Sequence, residues 1–192
     1  DRHDSGMFQA TGDFGFEQES DARRVWDVLP KRFDKYGLAL HPGKTRLIPF
    51  QRPRGGPGNG SDAKPGTFDL LGFTHFWGVS RKGRPVIQRK TAASRFTRTL
   101  KRVREWCRKH RHDPIATQHR ALSRMLKGHF EYFGLTSNFR SLSNLQQEVR
   151  RIWHRWLCRR SQKGYIPWPK FANLLERFPL PRARIVHSFA RP

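Results

Sequence analysis

Apolar residues recur at helical spacing in several stretches of the second half of the chain. The first stripe consists of Ala92, Phe96, Leu100, Val103 and Cys107. Residues separated by three, four or seven positions lie on one face of an α-helix. The pattern therefore predicts a helix that buries this stripe and stops before Pro114.

Two more long stripes and a short one follow. The second consists of Leu122, Met125, Leu126, Phe130 and Phe133, and the third of Leu142, Leu145, Val149, Ile152, Trp153, Trp156 and Leu157. A turn from Gly134 to Asn138 separates them. Trp168, Phe171, Leu174 and Leu175 predict one further short helix. We expect a small all-α bundle in which Trp153 and Trp156 fill the core rather than stack on RNA bases.

The first half of the chain has a different pattern. Ala22, Val25, Trp26, Leu29 and Phe33 predict a helix that Ser20 and Asp21 cap and that ends near Tyr36 and Gly37. Pro30 should kink this helix or end it early, because proline removes a backbone hydrogen bond. Residues 38–40 and 45–50 flank the turn residues 41–44 and predict a hairpin.

Further strands are expected after a loop. Residues 51–66 are so rich in Gly and Pro that regular structure is excluded. The aromatic run from Thr67 to Trp77 is β-prone, and Val86-Ile87 predicts a short strand. The predicted fold class is α+β, with a helix, a hairpin and short strands followed by the helical bundle.

The charge is strongly basic and unevenly distributed. Lys and Arg total 39 against 15 Asp and Glu, which gives a net charge of +24, and residues 1–60 contribute only 10 basic and 8 acidic side chains to it. Such an excess requires an anionic partner. No stretch approaches the roughly 18 consecutive apolar residues of a spanning helix. We therefore expect nucleic acid and no membrane as partner, and a cytoplasmic, nucleoid-associated location.

Basic side chains are densest on the predicted bundle. Residues 88–162 contain 19 basic and 4 acidic side chains, as expected of a surface that follows phosphates. The predicted RNA-binding residues are Arg89, Lys90, Arg95, Arg98, Lys101, Arg102, Arg104, Arg108, Arg150, Arg151, Arg155, Arg159 and Arg160. Arginine predominates over lysine, which favours bidentate phosphate contacts and stacking on unpaired bases.

Two metal hypotheses are weaker than their alternatives. Cys107-x2-His110 and His154-x3-Cys158 have spacings that could present four zinc ligands, but both cysteines lie beside buried positions, and reduced structural thiols are the favoured interpretation. The acids Asp13, Glu17, Glu19 and Asp21 are ordinary before a helix start. We expect no catalytic residue and no metal site.

Several ordered motifs resemble group II intron reverse transcriptases. Residues 20–24 and 33–50 resemble the end of the palm, and Phe68-Asp-Leu-Leu-Gly-Phe-Thr-His-Phe76 resembles the motif that follows it. Arg89-Lys-Thr91, Gly128-His-Phe-Glu-Tyr-Phe-Gly134 and Arg159-Arg-Ser-Gln162 look like the maturase-specific thumb, or X, region. The resemblance covers nearly the whole chain from residue 15 onward.

The resemblance implies a domain plan and a function. Residues 1–87 would be the C-terminal remnant of a palm, residues 88–180 the maturase-specific helical domain and residues 181–192 a tail. Leu71, Gly72 and Phe73 match the primer grip, and Lys44 matches a palm lysine. The implied function is binding of structured group II intron RNA in splicing and retrohoming. A DNA target or primer and a separate palm-bearing chain are further candidate partners.

The chain departs from the family at the polymerase site. Members carry an aromatic-Ala-Asp-Asp motif just before the Gly-Phe-Glu seen here at Gly15-Phe-Glu17, but the ungapped equivalent is Phe8-Gln-Ala-Thr11. Even if a gap allows Asp13 to replace one aspartate, two-metal phosphoryl transfer requires several carboxylates. We expect the isolated chain to be inactive as an RNA-directed DNA polymerase and to hold no cofactor, whereas full-length members use Mg²⁺.

Two alternative functions stay open at this point. One is a working reverse transcriptase that is completed by a palm supplied in trans. The other is a general basic nucleic-acid-binding protein that shares only ancestry with the family.

Overall fold

The computed structural model describes residues 15–16, 18–41, 43, 45–50, 66–80 and 82–187. Within these residues the chain forms five α-helices and one three-stranded antiparallel sheet, which confirms the α+β class. The chain divides into two compact units, Asp1–Pro49 and Phe50–Pro192.

The first unit contains helix α1, Glu19–Asp34. Its N-cap residue is Gln18 and no side chain caps it, so the predicted cap at Ser20 and Asp21 is wrong; both residues are helical. Pro30 lies inside the helix, which continues for another turn, so the predicted early end is also wrong. The proline removes a single backbone bond, to the carbonyl of Trp26, and the remaining bonds of the helix suffice.

The predicted hairpin after α1 is not formed. Among residues 38–41 and 45–50 none lies in a strand. A turn does form, because the Thr45 amide donates to the His41 carbonyl at 3.0 Å and the Gly43 amide donates to His41 Nδ1 at 3.2 Å. The carbonyl and the side chain of His41 thus both bond to amides within this short segment. Lys44 lies outside the described residues.

The sheet of the second unit consists of β1 (Phe68–Leu70), β2 (Phe73–Val79) and β3 (Pro85–Thr91), in that order. Phe68 pairs with His75, and Phe73 pairs with Thr91. The β-prone run from Thr67 to Trp77 is thus two strands, because residues 71 and 72 form a tight turn. The predicted strand at Val86-Ile87 is longer than expected, and the proposed domain boundary after residue 87 falls inside it.

The bundle consists of α2 (Ala93–Lys109), α3 (Ile115–Phe133), α4 (Phe139–Leu157) and α5 (Trp168–Arg177). All four predicted helices are confirmed, including the end of the first before Pro114, which occupies the N-cap position of α3. The largest fully buried side chains include Trp153, Phe130 and Phe171. Trp153 donates from Nε1 to Gln118 at 2.8 Å, so its polar atom is satisfied inside the core.

Asn138 joins the sheet to the bundle. It lies in a short 3₁₀ helix, Thr136–Asn138, between α3 and α4, and it is completely buried. Its Oδ1 accepts the Thr91 amide at 2.8 Å, while its Nδ2 donates to Thr91 Oγ1 and to the Phe133 carbonyl, each at 2.8 Å. One side chain therefore fixes the end of β3 against the end of α3.

The residues after α5 lie against the C-terminal end of α3. The amides of Val186 and His187 both donate to the Gly134 carbonyl, at 2.8 and 2.9 Å. Arg184 also forms an ion pair with Glu131 of α3. The described part of the predicted tail, residues 181–187, thus packs on the C-terminal end of α3.

The Asn138 contacts lead to the first testable prediction. Asn138→Ala should lower the free energy of unfolding by about 2–4 kcal/mol, because it removes three hydrogen bonds and leaves the Thr91 amide buried without a partner. Urea unfolding followed by circular dichroism measures this. The control is Asn144→Ala, since Asn144 is an exposed asparagine of α4. Equal losses for the two variants would contradict the proposed role of Asn138.

Candidate nucleic-acid interface

Three predicted RNA-binding residues lie along one face of α2. Arg95, Arg98 and Arg102 are separated by three and four positions, which places them on the same side of the helix. All three are exposed, whereas Val103 and Cys107 on the opposite side are buried. The apolar stripe of α2 thus orients its arginines outward.

These arginines line a groove that α2 forms with α3. Its volume is about 790 Å³, and the tip of the turn between β1 and β2 also contributes to it. The lining residues are Leu71, Arg95, Arg98, Thr99, Arg102, Arg124, Met125, Gly128, His129, Tyr132 and Phe133. The walls therefore combine four arginines with apolar and aromatic side chains, and no acidic residue belongs to the set.

The positive charge of the groove is uncompensated. Within the described part of the chain, the side chains of Arg95, Arg98, Arg102 and Arg124 form no hydrogen bond and no ion pair. Four like charges around one concave surface raise the local positive potential and attract anions. A polyanion that entered the groove would meet guanidinium groups whose donors are not already engaged by the protein.

His129 is the buried polar residue of the groove. Only 8% of its surface is exposed, and it stacks on Phe133 with ring centroids 4.4 Å apart. Burial, with a further contribution from the Arg102 charge, lowers the pKa of His129 from its ordinary value of 6.5 to about 4. The imidazole is therefore neutral at physiological pH, so it contributes polar atoms to the groove and no charge.

Gly128 faces the same groove from the middle of α3. A methyl group built on Gly128 would meet no atom within 4 Å. Glycine in a helix interior costs about 0.5–1 kcal/mol relative to alanine. No neighbouring protein atom accounts for this cost, whereas the absence of a side chain keeps the groove open at that point.

The predicted primer-grip residues form the turn at one edge of the groove. Leu71 has φ 50° and Gly72 has φ 84°. This backbone conformation is unfavourable for leucine. Leu71 is also 69% exposed, at the tip of the turn between β1 and β2. A Cβ on Gly72 would lie only 3.3 Å from Arg95 Cγ, so glycine allows the close approach of α2.

Neighbouring residues hold this turn. The Tyr132 hydroxyl donates to the Leu71 carbonyl at 2.9 Å, and the Ala92 amide donates to the Gly72 carbonyl at 2.9 Å. Phe73 packs in the core with its ring centroid 5.0 Å from that of Phe133. The turn is thereby tied to both helices that form the groove.

The other predicted RNA-binding residues lie outside the groove. Lys101, Arg104 and Arg108 of α2 are exposed. Arg150, Arg151 and Arg155 are also exposed on α4, where Arg151 pairs with Glu148 at 2.6 Å. On the sheet, Arg89 is half-buried and Lys90 lies 5.3 Å from the ring centre of Phe76.

Two arginines that directly follow α4 have different environments. Arg159 lies over the ring of Trp156, with 5.4 Å from its guanidinium carbon to the ring centroid. Arg160 is half-buried and donates to the Arg111 and Asp113 carbonyls, each at 2.5 Å. The Arg160 side chain therefore holds the connection between α2 and α3, which leaves it fewer donors for a phosphate.

The cysteine and histidine pairs do not form a metal centre in the described residues. No group of three or more His, Cys, Asp and Glu side chains that could hold a metal ion occurs among them. His154 Nε2 instead lies 2.7 Å from the Ile166 carbonyl, and the Cys158 sulfur accepts the Ile166 amide at 3.4 Å. Burial raises the pKa of the Cys107 thiol to about 12, which keeps it protonated and unreactive.

Sequence reasoning missed the half of the groove that α3 provides. Arg124, Gly128 and Tyr132 follow each other at intervals of four residues, and Met125, His129 and Phe133 repeat that spacing one position later. The spacing places both rows on one side of α3. The charge was visible in the sequence, but the meeting of this side with the arginines of α2 depends on tertiary packing.

The fold and the groove define a basic helical domain with an open cationic surface. Residues 96–173 match the family model of the group II intron, maturase-specific domain. The matched region begins within α2, includes all of α3 and α4, and ends within α5. No curated protein and no solved structure matches the chain.

Residues 96–173 are therefore similar to the group II intron maturase-specific domain, and the match supports the C-terminal region of a group II intron maturase. The resemblance seen in the sequence is confirmed for this region. Such a domain indicates a maturase-type role in group II intron splicing and implies association with group II intron RNA. Within the described ranges, no helix has the length and apolar character needed to cross a membrane.

The environment of His129 leads to a pH prediction. Between pH 6.5 and about 4 the unfolded chain binds a proton at His129 that the folded chain excludes. Stability should therefore fall with decreasing pH across this window, by about 1 kcal/mol per pH unit from this residue. Urea unfolding at pH 7 and pH 5 measures the change.

The control separates His129 from the other histidines. His129→Phe should remove most of this pH dependence, whereas His112→Asn should retain it, because His112 is exposed. An identical pH dependence in His129→Phe and the unchanged chain would refute the assignment.

Proposed function

We propose that the chain binds structured group II intron RNA and acts as a maturase-type factor in splicing and retrohoming. The groove between α2 and α3 is the centre of the proposed RNA-binding surface. The exposed arginines of α2 and α4 extend it along the RNA backbone.

The observation that carries the proposal is the groove itself. Arg95, Arg98 and Arg102 from α2 meet Arg124 from α3 around an apolar floor, and no acid lines the groove. Guanidinium groups bind phosphates through two parallel hydrogen bonds and stack on unpaired bases. This combination suits folded RNA, which presents both phosphates and unstacked bases.

In this proposal, the chain does not copy RNA by itself. The family's two catalytic aspartates are absent from Phe8-Gln-Ala-Thr11, and the described residues offer no cluster of metal ligands. The ungapped equivalent of the motif with which the family binds its Mg²⁺ pair thus lacks both aspartates in this chain. Binding, rather than phosphoryl transfer, is the activity that this surface supports.

The turn at Leu71 and Gly72 favours a second candidate function. An exposed leucine on an unfavourable backbone, held beside cationic side chains, is suited to contact a nucleic-acid strand. A reverse transcriptase completed by a palm supplied in trans would use this turn on a DNA or RNA primer. Primer extension with and without an upstream palm fragment tests it, and no extension in either case eliminates it.

The main proposal is tested by binding to labelled group II intron RNA over a series of salt concentrations, with tRNA as competitor. Intron-specific binding should persist at physiological salt and resist tRNA. Binding that is lost at that salt concentration, or that tRNA competes away equally, would mark a general basic protein instead.

A double substitution identifies the surface that is used. Arg98→Ala with Arg124→Ala should weaken intron RNA binding about tenfold or more and reduce the slope of log affinity against log salt by about 1.4, as two lost phosphate contacts predict. Fluorescence anisotropy measures both quantities.

The matched control removes the same charge elsewhere. Lys170→Ala with Arg177→Ala changes two exposed basic residues of α5, outside the groove. If this control weakens binding as much as the groove variant does, the net charge and not the groove governs binding.

A further inference from the structure

Gly128 is an exposed glycine of α3 that lines the groove. The residue lies well inside α3, where glycine destabilises a helix relative to alanine. The space beyond it is free of protein atoms for at least 4 Å from a Cβ. Neither a close helix contact nor a special φ angle explains the glycine, so the space itself is the feature that a larger residue would remove.

The walls around this space are those of a small-molecule pocket. A volume of about 790 Å³ lies within the range of about 300–1,000 Å³ that is typical of small-ligand sites. Met125, Tyr132 and Phe133 provide flat or flexible apolar contacts. A pocket of this size takes one small group and not a double helix.

His129 adds a polar group whose hydrogen bonding is incomplete. Its Nε2 is buried and has no hydrogen-bond partner among the described residues. Buried polar atoms are usually satisfied, and an orphaned one indicates a missing partner. The imidazole is neutral, so its partner is a polar group and need not be an anion.

We propose that the groove takes a single unpaired nucleobase of the bound RNA, which enters over Gly128 and packs against Met125 and Tyr132. The phosphates on either side of that nucleotide contact the arginines of the rim, Arg98 and Arg102 on α2 and Arg124 on α3. The inference rests on the proposed RNA binding and adds that the groove selects RNA with a bulged or looped-out base.

The charge pattern favours RNA over a peptide as the occupant. A peptide that matched four unpaired arginines would need a cluster of several acidic side chains. An RNA strand provides a phosphate on each side of every base, and base stacking on aromatic residues is worth a measurable part of the affinity. Apolar walls with a cationic rim thus match one nucleotide and its two phosphates.

The test compares two RNA hairpins that differ by one nucleotide. One carries a single bulged 2-aminopurine in its stem, and the other is fully paired. The full chain should bind the bulged hairpin about tenfold more tightly than the paired one. The fluorescence of the 2-aminopurine should change on binding, because the base moves into the groove. Equal affinities for the two hairpins would overturn the inference.

Gly128→Leu is the decisive variant. The leucine side chain should fill the groove and abolish the preference, so that the bulged hairpin binds no more tightly than the paired one. Folding should not suffer, because leucine is a better helix former than glycine and the space is empty. Thermal unfolding checks that the melting temperature is not lowered.

Ala116→Leu is the matched control, since it adds an apolar side chain at an exposed position of the same helix. It should retain the preference. A preference that survives in Gly128→Leu overturns the inference, as does an equal loss of binding to both hairpins. Failure of the unchanged chain to bind any RNA would instead refute the proposed function itself.

Discussion

The buried side chain of Asn138 is the interaction on which the candidate site depends. It pairs with the backbone and hydroxyl of Thr91 at the end of β3 and with the carbonyl of Phe133 at the end of α3. The strand that Thr91 pairs with begins at Phe73, directly after the turn at Leu71 and Gly72. Through this connection, Asn138 fixes the turn beside the groove and holds the sheet against α3.

The charges of the bundle are arranged so that they do not oppose its folding. The apolar stripes of α2 and α4 are buried, and most of their arginines lie at the surface, where water screens their mutual repulsion. His129 is buried beside Arg102, and its lowered pKa, about 4, keeps its imidazole neutral. The groove therefore keeps a cationic rim above a neutral floor, as the proposed binding of an RNA strand with one exposed base requires.

The sequence predicted the helices of the bundle well because helical periodicity and Pro114 are local signals. It failed at α1, where Gln18 and not Ser20 or Asp21 occupies the cap, and at the residues after it, where His41 bonds to local amides instead of starting a hairpin. Local patterns cannot decide between such competing hydrogen bonds. The boundary that was placed after residue 87 cuts β3, because the change from β to helical periodicity is not visible at the strand's last residues.

The candidate site was predictable only in part, for a similar reason. Arg95, Arg98 and Arg102 were identified from charge, and so was Arg160, whose side chain turns inward to the Arg111 and Asp113 carbonyls. Charge alone does not distinguish an arginine that faces solvent from one that caps a chain turn. The contribution of α3 depends on tertiary packing, which brings Arg124 and Gly128 to the same groove as the arginines of α2. The match of residues 96–173 to the maturase-specific domain gives this surface its biological context.

The most direct measurement is ultraviolet crosslinking of the full chain to group II intron RNA that carries 4-thiouridine, followed by mass spectrometry of the crosslinked peptides. The strongest crosslinks should lie in residues 95–102 and 124–132, on the two sides of the groove. Crosslinks confined to α4 and α5, with none in these two segments, would contradict RNA binding at the groove.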